Sequence, residues 1–265
     1  MTPLLVVPAR HASSRFPGKP LVALRGATGE ARSLVRRAWE AAVATGLGRV
    51  VVATEDGRIR EHCEGFGAEV VMTAATCRNG TERVAEAAAL LGWDGIVVNL
   101  QGDAPLTPPW FLGALVEALA RDARGAAMAT PVLRMDGATL RAFREDRRAG
   151  RVGGTTAVRD AEGRALYFSK EVVPHAAHDY GAVEPTPVLH HVGAYAYRPW
   201  ALESYLSWDP GPLEELEGLE QLRFLENGAD VLCVEVEARG RAFWEVNNPE
   251  DVPRVEAMMR AMGMA

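Results

Sequence analysis

An α/β fold around a mainly parallel β-sheet is what the 265-residue sequence predicts. Short apolar, β-branched runs alternate with longer stretches rich in Ala, Leu, Glu and Arg, and this alternation is typical of βαβ units whose sheet is covered on both faces. The composition is that of an ordinary globular protein, with 48% hydrophobic and 24% charged residues. Because no Pro/Gly/Ser-rich linker divides the chain, we expect a single domain over residues 1–265.

The first half of the chain contains the regular alternation. Short apolar runs predict strands, and apolar residues that recur every three or four positions predict helices. The expected strands are residues 4–8, 49–54, 68–72, 95–100 and 126–132, and the expected helices are residues 31–45, 56–64, 81–91 and 108–123. Ligands of parallel sheets bind beyond the carboxyl ends of the strands, so the residues that follow each strand are the first candidates for a site.

The pattern changes after about residue 133. A charged helix is expected over residues 138–151, and two strands at 155–159 and 165–169 flank the turn sequence DAEG. A loop with several prolines is expected at 172–188, followed by strands at 192–198 and 231–236 and by helices at 213–227 and 249–262. We interpret residues 153–198 as a β-rich excursion from the parallel fold.

Charge and cysteine content exclude several classes of protein. The net charge of −6 gives no sign of the basic face of a duplex nucleic-acid binder. The three cysteines are widely separated and form no CxxC pair, so a zinc site or a disulfide framework is not expected. No apolar run approaches the ~18 residues of a membrane span, and the apolar run at residues 4–7 is too short for a signal peptide. We expect a cytoplasmic protein.

The loop after the first strand, PARHASSRFPGKP at residues 8–20, is strongly basic. It carries Arg10, Arg15 and Lys19 within ten residues. Guanidinium forks, an ammonium group and exposed backbone N–H groups suit phosphate oxygens. Pro20 follows Lys19 where a Walker A loop has Ser or Thr, and no GxGxxG motif is present. The loop therefore predicts a phosphate site of another kind, the alternative being a solvated basic loop.

Two further segments follow predicted strands. Asp103, in NLQGDAP after the fourth strand, can reach a divalent cation held by phosphates, since magnesium takes one or two carboxylates and keeps waters. Its alternative is a simple turn aspartate. Asn79, Gly80 and Thr81 open a helix whose N-terminus can accept an anion or a base edge, or they form only an N-cap.

Seven blocks of sequence, in order and spanning residues 3 to 258, resemble one known family. They are PARHASSRFPGKPL, RNGTERVAEAA, NLQGDAP, DAEGRALYFSK, HHVGAYAYR, PLEELEGLEQLRFLENG and NNPEDVPRVE. Together they resemble the CMP-Kdo synthetases, the 3-deoxy-manno-octulosonate cytidylyltransferases. The resemblance implies a three-layer, Rossmann-like nucleotidyltransferase fold, and a homodimer whose interface includes the β-rich excursion.

The reaction that the resemblance implies joins CTP to an acidic 2-keto-3-deoxy sugar. The anomeric hydroxyl of 3-deoxy-manno-octulosonate (Kdo) attacks the α-phosphorus of CTP in line, and the products are CMP-Kdo and pyrophosphate. Mg²⁺ is the expected cofactor, since it neutralises charge on the phosphates. The product would serve the biosynthesis of a surface polysaccharide, either lipopolysaccharide or capsule.

The resemblance also assigns roles to residues of this sequence. Arg10, Lys19 and Asp103 are the expected catalytic residues. Three sets of contacts are implied: the nucleotide at Pro8, Ala9, Arg10, Arg15, Lys19, Arg78, Asn79, Gly80 and Thr81; the sugar acid at Gln101, Lys170, His191, Tyr195, Glu220 and Gln221; and the metal at Asp103 and Asn247.

Four positions depart from the family pattern and leave two alternatives open. Ala104 stands in place of a Glu, Asn247 in place of an Asp, Lys170 in place of an Arg and Thr156 in place of a Lys. One alternative is a cytidylyltransferase for a related acidic sugar, such as 8-amino-Kdo or a nonulosonate. The other is a catalytically silent nucleotide-binding homologue.

Overall fold

A computed structural model describes residues 2–12, 16–151, 154–241, 244–246 and 248–264. The chain forms two compact units, residues 1–113 with 238–265, and residues 114–237. Two of the predicted site residues, Arg15 and Asn247, lie outside the described residues.

The order of elements confirms the predicted alternation of strands and helices. The strands are β1 Leu4–Pro8, β2 Ala23–Arg25, β3 Ala31–Ser33, β4 Arg49–Thr54, β5 Glu69–Met72, β6 Val97–Leu100, β7 Met128–Asp136, β8 Thr155–Arg159, β9 Ala165–Ser169, β10 Pro185–His191, β11 Ala194–Tyr197 and β12 Val231–Glu235. The helices are α1 Leu34–Val43, α2 Gly57–Glu64, α3 Gly80–Leu90, α4 Pro109–Arg121, α5 Gly137–Arg148, α6 Pro199–Ser207, α7 Pro212–Glu217, α8 Leu222–Glu226 and α9 Asp251–Ala261.

The first unit contains a parallel sheet with the strand order β5-β4-β1-β6. All five residues of β1 are buried, and Val6 pairs with Val51 on one side and Asn99 on the other. Helices α1, α2 and α3 pack against these strands. Because the strands are parallel, their carboxyl ends lie along one edge, and the loops that follow β1, β4, β5 and β6 begin there.

The second unit is organised around β7. Strands β10 and β11 pair with β7 in the antiparallel sense, and β12 pairs with it in the parallel sense. Strand β8 continues the sheet on β10, and β9 forms its edge. The predicted β-rich character of residues 153–198 is thereby confirmed, since these residues supply β8, β9, β10 and β11.

Several predicted boundaries were wrong for local reasons. Residues 31–45 are not one helix, because β2 and β3 form a hairpin and α1 begins only after Ser33, whose hydroxyl accepts a hydrogen bond from Arg36 N. Residues 213–227 form two helices, since Gly218 adopts a left-handed conformation with φ of 60° and ends α7. The expected loop at 172–188 gives way to β10 from Pro185 onward, and α6 was not predicted.

Candidate active site

The two described parts of the basic loop after β1, residues 8–12 and 16–20, are joined by a backbone hydrogen bond. Ala9 N donates to the Ala53 carbonyl oxygen at 2.9 Å, which continues the pairing of β1 with β4 by one residue. Further along, Gly18 N donates to the carbonyl oxygen of His11 at 3.0 Å. Gly18 has φ of 71°, a left-handed conformation that glycine adopts without steric cost. This turn leads directly into a short 3-10 helix that starts with Lys19.

Lys19 and Asp103 are brought together, as the sequence predicted for a shared site at the sheet edge. The ammonium nitrogen of Lys19 lies 2.7 Å from Oδ2 of Asp103, and the two side chains are 15% and 27% exposed. Within the described residues, Oδ1 of Asp103 accepts no hydrogen bond. The carboxylate therefore has one oxygen neutralised by a cation and one oxygen open to a ligand.

The backbone around Asp103 is fixed by two close approaches. Val246 N donates to the Asp103 carbonyl oxygen at 3.0 Å, which attaches the segment before α9 to this loop. A Cβ at Gly102 would lie 2.9 Å from the carbonyl oxygen of Pro8, so this position accommodates only glycine without movement of β1. The loops after β1 and β6 are thus held against each other.

The segment that opens α3 carries a capped helix N-terminus. Asn79 is the N-cap, and its Oδ1 accepts from Glu82 N at 2.8 Å. Glu82, buried in the first turn, accepts from Arg78 N and Arg78 Nε, both at 2.7 Å. Arg10 Nη1 donates to the Arg78 carbonyl oxygen at 3.3 Å. Arg10 and Arg78, both predicted to contact the nucleotide, therefore lie side by side.

Gln101 lies directly on the first residue of α3. A Cβ built on Gly80 would be 2.8 Å from Gln101 Nε2 and 3.1 Å from Gln101 Oε1. A residue predicted for the sugar acid and a residue predicted for the nucleotide are thus in contact. Any side chain at Gly80 would displace Gln101.

A buried ion pair that the sequence analysis missed supports these loops. Arg83, 3% exposed, lies 2.8 Å from Glu55 Oε2, and its Nη1 donates to Thr73 Oγ1 at 2.5 Å. Glu55 Oε1 accepts from His11 N at 3.2 Å. Glu55 comes directly after β4, so the rule that sites lie beyond the carboxyl ends of strands could have identified it. Glu82, three residues after the N-cap, follows the spacing of a capping box.

The remaining predicted sugar-acid residues belong to the second unit, where His191 is enclosed. Its Nε2 lies 2.9 Å from Thr130 Oγ1, and its Nδ1 lies 2.9 Å from Thr155 Oγ1. The Thr130 hydroxyl donates to the backbone carbonyl of Ala194 or Val192, so it accepts from His191 Nε2–H, and Nδ1 accepts from Thr155. Burial lowers the pKa of His191 to about 3. The ring is therefore neutral, and both of its nitrogens are used within the protein.

Tyr195 and Gln221 meet beside His191. The Tyr195 hydroxyl donates to Gln221 Oε1 at 3.3 Å, and the His191 and Tyr195 rings lie 5.8 Å apart between centroids. Gln221 is buried, and its Nε2 has no hydrogen-bond partner within the described part of the chain. A buried donor without a partner costs about 1–3 kcal/mol. An acceptor atom of a ligand would recover this energy.

Lys170 follows β9, and its position depends on α7. Lys170 N donates to Glu217 Oε2 at 2.8 Å. The half-buried ammonium group makes no ion pair or hydrogen bond with any residue that the structure describes. Glu220 follows in the turn between α7 and α8, immediately before Gln221. Sequence reasoning missed Glu217, whose contact with Lys170 joins residues 47 positions apart.

Metal-binding and membrane-spanning features were searched separately in the described residues. They contain no group of three or more His, Cys, Asp or Glu side chains that could hold a metal ion. Among the same residues, no helix has both the length and the apolar character needed to cross a bilayer. Cys63, Cys77 and Cys233 are free thiols.

Comparison with known proteins identifies the class. A family model described as Cytidylyltransferase matches residues 4–231, which is most of the chain. A cytidylyltransferase from Leptospira borgpetersenii shares the fold, with a TM-score of 0.54 and 17% identity over 89% of this chain and 77% of that chain. The class that fold and sequence define is thus a cytidylyltransferase.

More similar relatives narrow the class to one family. The 3-deoxy-manno-octulosonate cytidylyltransferase of Maricaulis maris is 44% identical over 99% of both chains. The mitochondrial enzyme of that name from Arabidopsis thaliana is 39% identical over 98% of this chain and 84% of its own length. A CMP:2-keto-3-deoxy-manno-octonic acid synthetase complexed with CTP matches with a TM-score of 0.82 and 30% identity, over 99% of this chain and 100% of that chain. The chain belongs to the 3-deoxy-manno-octulosonate cytidylyltransferase family, and the predicted family and fold class are confirmed.

Proposed function

We propose that this protein transfers CMP from CTP to the anomeric hydroxyl of Kdo, with release of pyrophosphate. The observation that carries the proposal is the contact between Lys19 and Asp103, which joins the loops after β1 and β6. Arg10 and Arg78 lie in contact in the same unit of the chain. Membership of the family supports CTP and Kdo as the substrates, since a relative that matches this chain with a TM-score of 0.82 was solved in complex with CTP.

Transfer of CMP from CTP requires cations near the triphosphate. In phosphoryl transfer the protein contributes mainly positioning and electrostatic stabilisation of charge on the phosphate oxygens. Arg10 and Lys19 supply positive charge, and the first turn of α3 supplies backbone N–H groups for the nucleotide. The turn at Gly18 and the hydrogen bond from His11 N to Glu55 hold the described parts of the basic loop, residues 8–12 and 16–20.

Magnesium is the cofactor that fits this site. Asp103 has one oxygen without a protein partner and is partly exposed, which suits a cation that completes its shell with waters and substrate phosphates. Asp103 would hold the ion, and Asn247 would offer a neutral oxygen as a second ligand. Bound magnesium would neutralise charge on the phosphates and make the attacking hydroxyl more acidic. Lys19 holds the Asp103 carboxylate in a fixed orientation.

The sugar acid would contact the polar groups of the second unit. Lys170 has an ammonium group without a carboxylate partner within the described residues, and Gln221 has a buried Nε2 that lacks an acceptor. A substrate with a carboxylate and several hydroxyls supplies the missing charge and the missing acceptor. Both nitrogens of His191 are engaged by threonines. We therefore assign His191 the role of orienting Tyr195, against whose ring it packs.

Pyrophosphate release is the direct test. The purified full chain is assayed with CTP, Mg²⁺ and a panel of Kdo, 8-amino-Kdo and a nonulosonate, and the CMP-sugar is identified by mass spectrometry. We expect the highest kcat/KM with Kdo. A higher kcat/KM with another acid would reassign the acceptor. Binding of CTP without any product at saturating Mg²⁺ would instead identify a silent homologue.

We also propose a homodimer in which the β-rich excursion contributes the interface. Leu166, on the edge strand β9, is 61% exposed, and Leu216 on α7 is 81% exposed. An edge strand that carries an exposed leucine is a surface that folded proteins usually cover. Sedimentation velocity should give a dimer for the full chain and a monomer for Leu166→Arg. A monomeric unsubstituted chain would contradict the proposal.

The cellular role follows from the product. We propose that the enzyme acts in the cytoplasm and that CMP-Kdo supplies a glycosyl donor for a surface polysaccharide. The three free cysteines fit a reducing compartment. Fractionation of the source cells with an antibody to the chain would locate it.

A further inference from the structure

Lys170 has an unusual combination of a fixed backbone and an unpaired head group. Its backbone N–H is held by Glu217, whereas its ammonium group has no partner in the described residues. The side chain is half-buried. No ion pair within the described residues therefore defines where the ammonium group lies.

Glu217 binds the end of β9 with both of its carboxylate oxygens. Oε1 accepts from Ser169 Oγ at 2.7 Å and from Tyr167 OH at 3.3 Å, while Oε2 accepts from Lys170 N at 2.8 Å. Hydrogen bonds to a charged acceptor are about twice as strong as neutral ones. Glu217 therefore fixes three donor groups at the end of β9 and at the residue that follows it, so both of its oxygens are already engaged.

Gly218, the next residue, provides the space for the ammonium group. It adopts φ of 60°, and a Cβ built on it would lie only 2.9 Å from Lys170 Nζ. The ammonium group thus lies over the surface of a residue that has no side chain. Any larger residue at position 218 would move either the turn or the Lys170 head group.

We propose that Glu217 and Gly218 are positioning residues that set where Lys170 presents its ammonium group to the acidic sugar. This inference rests on the proposed function. Glu217 fixes the backbone of Lys170, and Gly218 leaves room for its head group. Since Glu220 and Gln221 follow Gly218 in the same turn, the Glu217 carboxylate also ties the lysine to these two predicted sugar residues.

The first test separates the two substrates kinetically. Glu217→Ala should raise KM for Kdo by about tenfold, as expected for the loss of a charge-assisted hydrogen bond, and leave KM for CTP within about twofold. Glu217→Gln keeps one acceptor oxygen and should restore part of the loss. The matched control is Glu215→Ala, an exposed residue of the same helix, which should behave as the unsubstituted chain. Equal increases in both KM values would overturn the proposal.

The second test uses a pair of glycines with the same backbone conformation. Gly218→Ala and Gly228→Ala both place an alanine at positive φ, 60° and 72°, and so carry a similar backbone strain. A Cβ at Gly228 meets nothing within 4 Å, whereas one at Gly218 meets Lys170 Nζ. Only Gly218→Ala should raise KM for Kdo. Identical kinetics for the two variants would overturn the role of Gly218.

The third test does not depend on activity. Lys19 and Lys170 are the only lysines in the sequence, so reductive ¹³C-methylation of the full chain labels two side chains and the terminal amine. The Lys170 signal is assigned by its loss in Lys170→Arg. Gly218→Ala should shift this signal in the substrate-free protein, and Gly228→Ala should not. An unshifted signal in Gly218→Ala would refute the contact.

These measurements distinguish failure of the proposed function from failure of the positioning role. If the unsubstituted chain makes no CMP-sugar from any acid of the panel, the proposed function fails. The NMR comparison still decides whether Gly218 positions Lys170. If the unsubstituted chain is active and the Glu217 and Gly218 variants keep a normal KM for Kdo, only the positioning role fails.

Discussion

Replacing Asp103 with asparagine removes the charge of this carboxylate and keeps its shape. In the folded chain, Asp103 Oδ2 meets Lys19 Nζ at 2.7 Å, and the side chains are 27% and 15% exposed. A partly exposed ion pair contributes at most about 1 kcal/mol. The asparagine oxygen can still accept a hydrogen bond from Lys19, so we expect Tm to fall by about 2–4 °C or less.

Activity should respond far more strongly than stability. In the proposed mechanism Asp103 holds Mg²⁺ beside the phosphates, and a neutral asparagine would lose this role. Loss of one electrostatic element of this kind typically costs about 10²–10³ in kcat. We therefore expect a fall in kcat of that size for Asp103→Asn, together with a near-normal unfolding transition.

The assay is pyrophosphate release at saturating CTP and Kdo, titrated with Mg²⁺, beside a thermal unfolding curve. Glu40→Gln is the matched control, because Glu40 pairs with Arg36 at 2.9 Å and is similarly exposed. This control should lose comparable stability and no activity. A kcat for Asp103→Asn within about threefold of the unsubstituted chain would refute the assigned role of the carboxylate.

Three other predictions concern charge and stability. Lys19→Met should raise KM for CTP by about tenfold or more, and an unchanged KM would remove this lysine from the phosphate site. Glu214→Gln should lower Tm by about 10 °C. The reason is that Glu214 pairs bidentately with the fully buried Arg223 at 2.6 and 2.7 Å, and breaking such a pair costs about 3–5 kcal/mol. A shift in Tm under about 2 °C in calorimetry would contradict this. Burial lowers the pKa of His190 to about 4 and that of His191 to about 3. Below pH 6.5 the unfolded chain therefore binds protons that the folded chain does not. The unfolding free energy should fall there by about 1.4 kcal/mol per pH unit for each histidine. Urea titrations that give a constant unfolding free energy between pH 7.5 and 5 would exclude neutral buried rings.

Local pattern predicted the elements that are buried and bounded by polar residues. The strands at residues 4–8, 49–54, 155–159 and 165–169 were predicted at their observed bounds, because each is a β-branched or aromatic run between charged or turn residues. Elements whose ends depend on a single residue were predicted poorly. Ser33 and Gly218 each lie within a run of helical periodicity, yet the first begins a helix and the second ends one.

The meeting of Lys19 and Asp103 could be predicted because parallel topology determines it. Once β1 and β6 are neighbours, the residues after them must share an edge, and Lys19 meets Asp103 although 84 positions separate them. The supporting contacts could not be predicted in this way. Glu217 reaches Lys170 from a helix whose end depends on a left-handed glycine, and the threonines around His191 come from two different strands. Such pairs follow from packing, which no local pattern encodes.

The two lysines of the chain occupy places that suit a compact ammonium group. All but two of the 29 basic residues are arginine. At Asp103, a guanidinium fork would bind both carboxylate oxygens bidentately and leave none for a cation, whereas the ammonium group of Lys19 engages Oδ2 alone. Over Gly218, Lys170 Nζ lies 2.9 Å from the position that a Cβ would occupy, and a planar guanidinium group there would be bulkier than the ammonium group. A compact point charge thus suits both positions of a chain whose basic residues are otherwise arginine.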